Sequence, residues 1–87
     1  MKYKVMPGVV MTQICGKYYL VTSEETIQLN EIAAFYWKQL EKGASEEELC
    51  AMTQEYYEIG DPEMLQDDVS GFVDSLRCKH CIVRYRS

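Results

Sequence analysis

The first apolar segments of the chain are short and bounded by turn residues. Val9 to Ile14 (VVMTQI) and Lys17 to Thr22 (KYYLVT) are β-branched runs joined by only Cys15 and Gly16. Two short extended runs around a two-residue connection with glycine predict a β-hairpin. Pro7 and Gly8 punctuate its start. A third strand is expected at Glu25 to Leu29 (ETIQL), where Thr26, Ile27 and Leu29 favour extended backbone.

The period then changes to that of a helix, three times. Asn30 is a good N-cap for Glu31 to Glu41, in which Ala33, Trp37 and Leu40 share one face and Gly43 marks the end. That spacing makes Trp37 a core residue. Ser45 opens a second helix with Glu48 three residues on, the pattern of a capping box. Leu49, Met52 and Tyr56 form its stripe, and Gly60 closes it. Asp61 caps a third helix with Pro62 in the first turn, where the missing N–H does no harm. Leu65, Val69, Phe72 and Leu76 form its buried stripe. Met64 and Asp68 flank that stripe on one side, Gln66 and Val73 on the other. The segment Ile82 to Tyr85 reads as a short strand or an ordered tail. Strands segregated from helices predict an α+β fold: a three-stranded antiparallel sheet followed by three helices.

A length of 87 residues is that of one domain, here residues 1–87. The longest apolar run, Ile32 to Trp37, is six residues, against about 20 for a membrane span. The N-terminal MKYKVMPG has no apolar stretch behind its lysines and is not a secretory signal, so a cytoplasmic location is expected.

Charge narrows the function. The net charge is −5, and the stretch from Gly43 to Leu76 holds ten acids and no lysine or arginine. Nucleic-acid binders need cations to displace counterions from phosphate. A winged-helix DNA-binding regulator is the alternative reading, and its recognition helix would need bases that the second and third helices lack before Arg77. A protein, a peptide or a basic segment is the better partner.

Candidate chemistry is sparse. Cys78 and Cys81 have the spacing of half a zinc site, but Cys15 and Cys50 are isolated and His80 lies between the pair. A closed zinc site wants four ligands, so no metal is expected. At a helix C-terminus the dipole raises a thiol pKa, which argues against a redox pair. Both cysteines are expected to pack as small apolar residues where the last helix ends. Cys15 and Cys50 read as reduced thiols. No orienting group completes a nucleophile–base pair with His80, and the run Glu46 to Glu48 suits a helix N-terminus. No catalytic residue and no cofactor are expected.

The ordered pattern resembles the PqqD-like family, also called the RiPP recognition element, over about residues 8 to 83. The strand pair VVMTQI and KYYLV comes first. The run IQLNEIAAFYWKQLEKGASEEEL then looks like the family's extended segment, Leu-Asn, small residues, apolar or Trp position, Leu-Gly and capped acidic helix. DPEMLQDDVSGFVDSLRCKHCIV is similar to its acidic third helix. Cys78 to Cys81 stands where relatives have a glycine-containing turn. The resemblance implies a winged-helix-like, non-catalytic adaptor. It would bind the leader segment of a ribosomally made precursor peptide and present it to a modifying enzyme of the radical S-adenosylmethionine type. The leader would add as a strand along Thr26, Ile27, Gln28 and Leu29 and pack against Leu65, Asp68, Val69 and Phe72. The physics is compatible: a sheet edge accepts an extended peptide by β-augmentation, and an acidic helix favours a leader with Lys or Arg. The sequence leaves open a homodimer, the identity of the peptide, and which flank of the third helix lines the groove; the family pattern favours the Asp68 side.

Overall fold

A computed structural model describes residues 2–57 and 61–85. Its elements in chain order are β1 (Lys2–Val5), β2 (Val10–Ile14), β3 (Lys17–Val21), β4 (Thr26–Leu29), α1 (Glu31–Lys42), α2 (Glu46–Tyr57), α3 (Pro62–Cys78) and β5 (Ile82–Tyr85). The expected antiparallel sheet is present, in the order β2-β3-β4.

The first hairpin turns at Cys15 and Gly16, both with positive φ (53° and 79°), and Ile14 pairs with Lys17 across it. Two successive positive φ values are the signature of a type I′ turn, whose twist matches that of the flanking strands. The second hairpin turns through Thr22 to Glu25. The Thr22 hydroxyl oxygen accepts the N–H groups of Glu24 (3.1 Å) and Glu25 (2.9 Å), while the Thr22 N–H donates to the Glu25 carbonyl at 2.9 Å. Register then places Leu20 opposite Ile27 and Tyr18 opposite Leu29. These four side chains share one face of the sheet, with Leu20 and Leu29 buried and Tyr18 and Ile27 packed against the core.

Helix α1 covers that face. The Asn30 side chain caps it by accepting the Ala33 N–H at 2.8 Å. Ala33, Trp37 and Leu40 are buried as expected, joined by Ala34 and Tyr36. Gly43 ends the helix at φ 91°, and a Cβ there would collide with the Tyr85 hydroxyl. The capping box of α2 is realised in both directions: Glu48 N–H to Ser45 Oγ and Ser45 N–H to Glu48 Oε1, each 3.1 Å. The Ser45 N–H, helped by Lys2, holds the Glu48 carboxyl below its ordinary pKa.

Three sequence expectations need correction. In α2, Tyr56 is exposed and Thr53 is buried in its place. Thr53 is tolerated there because its hydroxyl donates back to the Leu49 carbonyl at 2.6 Å. In α3, Val73 is fully buried and Phe72 only half-buried, so the stripe runs Leu65, Val69, Val73, Leu76. At the end of α3, Cys81 is buried as expected but Cys78 is exposed. The closing role given to Gly60 falls outside the described residues.

An additional two-stranded ribbon joins β1 to β5, pairing Lys2 with Tyr85 and Val5 with Ile82. It resolves the terminal segment as a strand. Tyr3 also bridges Ala44 on its other side, so the ribbon is anchored at the α1–α2 junction. Entry into β5 depends on how α3 stops. The His80 N–H donates to Arg77 and the Cys81 N–H to Leu76, the two bonds of a Schellman motif. His80 takes the left-handed position (φ 58°) that glycine favours. Buried Cys81 and Leu76 are the apolar pair that accompanies the motif. Among the described residues no helix is long and apolar enough to cross a membrane.

Trp37 has no exposed surface and sits at the centre of this core. Trp37→Ala should cost roughly 3–5 kcal/mol, measured by chemical denaturation. A midpoint unchanged within error would contradict the core placement. Gly43→Ala should destabilise by on the order of 1–3 kcal/mol through its backbone conformation and the Tyr85 collision.

Candidate functional site

Among the described residues, strand β4 lies at one edge of its sheet and pairs with β3 only. Antiparallel pairs alternate between hydrogen-bonded and non-hydrogen-bonded positions. The Thr22–Glu25 bond fixes the phase. Counting from it, Ile27 and Leu29 direct their main-chain groups at β3. Thr26 and Gln28 direct theirs at the open edge. The side chains of Thr26 and Gln28 are exposed, so both lie clear of the core.

Residues of α3 and just past it flank both ends of β4. Lys79, just past its C-terminus, pairs with Glu25 at 2.8 Å, next to the start of β4. At the other end of the strand, Asn30 and Ile32 line a shallow groove with Asp68, Gly71, Phe72 and Ser75 of α3. Gly71 widens it, since nothing lies within 4 Å of where its Cβ would stand. Tyr36 lies at its base, its ring 5.3 Å from that of Phe72.

The Tyr36 hydroxyl is the polar hinge of the groove. It comes from a side chain only 1% exposed and donates to Asp68 Oδ2 at 2.9 Å. Burial, then the Asp68 hydrogen bond, push the Tyr36 pKa well above the usual phenol range. The phenol therefore stays a donor at neutral pH and holds an exposed carboxylate in one place. Asp67 lies beside it in the same groove. The result is a negative site beside Asn30, the residue that follows β4.

The eight residues singled out from sequence divide by position. Thr26 and Gln28 carry the open edge. Ile27 and Leu29 face the core and bond inward. Asp68 and Phe72 line the groove, whereas Leu65 and Val69 are buried and do not. Of the two flanks of α3, the Asp68 side lines this groove. Gln66 instead lines a separate cleft between α2 and α3. Sequence reasoning missed Tyr36, Ile32 and Gly71. A glycine in a helix interior is costly and was the one available signal for Gly71.

Reactive chemistry is limited. Burial raises the thiol pKa of Cys50 and of Cys81, which keeps both protonated. Among the described residues no three His, Cys, Asp or Glu side chains converge on a point where a metal could sit. Bases on α3 and just beyond are engaged with acids, Arg77 with Asp74 and Lys79 with Glu25.

Comparison with solved structures finds the same fold in three proteins. TbiB1 in complex with the TbiA(beta) leader peptide matches with a TM-score of 0.79 at 22% identity, over 97% of this chain and 99% of that one. A lasso peptide synthetase B1 complexed with its leader peptide matches at 0.78 and 23%, over 94% and 98%. The PqqD truncation of Methylobacterium extorquens PqqCD, described as a stand-alone RiPP recognition element, matches at 0.80 and 19%, over 95% and 89%. No curated protein matches the sequence significantly. The family model for coenzyme PQQ synthesis protein D matches residues 18–82, and with most of the chain inside that match, this protein belongs to the PqqD family.

Proposed function

We propose that the protein is a non-catalytic adaptor that binds the leader segment of a ribosomally synthesised precursor peptide and presents it to a modifying enzyme. The observation that carries this reading is the open edge of β4 beside the groove of α3. Thr26 and Gln28 offer main-chain donors and acceptors to an extended segment. Main-chain bonds give affinity without sequence preference, and the groove supplies the choice. Asp68, held by Tyr36, favours a Lys or Arg, while Phe72 and the space at Gly71 favour an apolar neighbour. Structures of the same fold hold leader peptides, which supports the reading. The modifying enzyme is of the radical S-adenosylmethionine type, as the family pattern implies.

The register makes the test selective. Gln28→Pro removes an outward N–H and leaves the β3 ladder intact, because proline is tolerated where its missing donor faces away from the partner strand. It should weaken binding of the cognate precursor peptide by about tenfold, read by calorimetry, with the melting temperature nearly unchanged. Ile27→Pro should instead break the ladder to β3 and unfold the sheet. Equal binding by wild type and Gln28→Pro would refute strand addition at this edge.

Charge reversal at Asp68 is a poor test, because it would strand the buried Tyr36 hydroxyl at a cost of about 1–3 kcal/mol. Asp68→Asn keeps an acceptor and removes the charge. It should lower affinity for a basic leader several-fold and flatten its salt dependence. An unchanged salt dependence would remove Asp68 from the recognition of charge.

A further inference from the structure

A second exposed feature takes no part in the groove. Phe35 of α1 stacks on Tyr56 of α2, with ring centroids 4.9 Å apart and planes 25° apart. Tyr57 meets Phe35 at 5.5 Å and Tyr56 at 4.9 Å, edge-on to both. Tyr56 is nevertheless 69% exposed. Its ring is thus fixed in place by two neighbours while most of its surface faces water. Pre-set, amphipathic aromatic surface of this kind is what interface anchors are made of.

The surroundings select the partner's chemistry. Burial, then the nearby Glu31, raises the Tyr57 hydroxyl pKa, with Tyr56 and Tyr18 also close to it. Glu55, beside Tyr56 in the chain, is exposed. The whole stretch from Gly43 to Leu76 supplies no lysine or arginine. Among the described residues, the cations over aromatic rings are Lys38 over Tyr18 and Arg77 over Tyr3, and none stands over Phe35, Tyr56 or Tyr57. Ring faces are electron-rich; of the charged groups near them, Glu31 and Glu55 are acids, and the base Lys38 is taken up over the Tyr18 ring. The complement is a planar cation that can stack, which is arginine before lysine. A second copy of this chain fits poorly, since it carries the same acidic face and a net charge of −5.

The geometry points to a second docking surface, in which the exposed Tyr56 ring, held by Phe35 and Tyr57, receives an arginine side chain from a basic surface of the enzyme that takes the bound peptide. The enzyme's identity rests on the adaptor reading; the arginine chemistry does not. None of the three rings lines the groove between the start of α1 and α3, so peptide and enzyme can be held at once.

The test titrates the full-length, isotope-labelled protein with a blocked glycine–arginine repeat peptide, and in parallel with its glycine–lysine counterpart. The arginine peptide should shift the ring resonances of Phe35, Tyr56 and Tyr57, and the lysine peptide should do so several-fold more weakly. Tyr56→Ala should cut the apparent affinity by about fivefold or more, and Tyr56→Phe should restore it. Tyr56 is on the surface, so the fold should survive both changes. Shifts spread over the acids of α2 and α3, equal for both peptides and indifferent to Tyr56→Ala, would overturn the proposal. So would ring shifts that depend on protein concentration alone, which would mean self-association. Adding the precursor peptide separates the two claims. Ring shifts with the arginine peptide, but no effect of the precursor on Thr26 to Gln28, would support this surface and sink the adaptor reading.

Discussion

The hydrogen-bond phase set at the Thr22–Glu25 turn governs both halves of this molecule. One residue earlier or later, every side chain of β4 would change face. In the observed phase, Ile27 and Leu29 fall opposite Leu20 and Tyr18 and close the sheet face that α1 covers. The same phase turns the main-chain groups of Thr26 and Gln28 away from β3. The core and the open edge are therefore two consequences of one register. A change that spoils the edge by shifting the strand also spoils the core, which is why the informative substitutions are those that leave the register alone.

An exposed sheet edge invites aggregation, and this one is restrained in several ways. The strand has four residues. Its outward side chains are Thr26 and Gln28, both polar. The Glu25–Lys79 ion pair ties its start to the end of α3, and at its other end Asp67 and Asp68 line the groove. The edge is open to a narrow extended segment and poorly suited to another sheet. The charge that discourages self-pairing is also the charge that would select a basic peptide, so protection and specificity come from the same carboxylates.

Much of this was legible in the chain, because the signals were local. Asn30, Ser45 with Glu48, and Asp61 with Pro62 each marked a helix start, and the caps form as read. Cys15-Gly16 marked the hairpin. The ribbon of β1 and β5 was not legible from the N-terminal side. Lys2 to Val5 is short and half charged, and it becomes a strand only by pairing with residues from the far end of the chain. The stripes of α2 and α3 went astray where periodicity alone had to choose between neighbours. Thr53 displaced Tyr56, and Val73 displaced Phe72, because the angle between packed helices decides which edge of a stripe is covered. In the site, Asp68 was found through family pattern and charge. Tyr36 was not, since its role depends on a hydrogen bond spanning 32 positions of sequence.

Amide hydrogen exchange, residue by residue, tests the central claim most directly. In the free protein, the Ile27 and Leu29 amides should exchange slowly because β3 holds them, and those of Thr26 and Gln28 should exchange fast. On saturation with the precursor peptide, Thr26 and Gln28 should become protected while Ile27 and Leu29 change little. Protection that appears elsewhere, with Thr26 and Gln28 still exchanging as in the free protein, would contradict strand addition at β4.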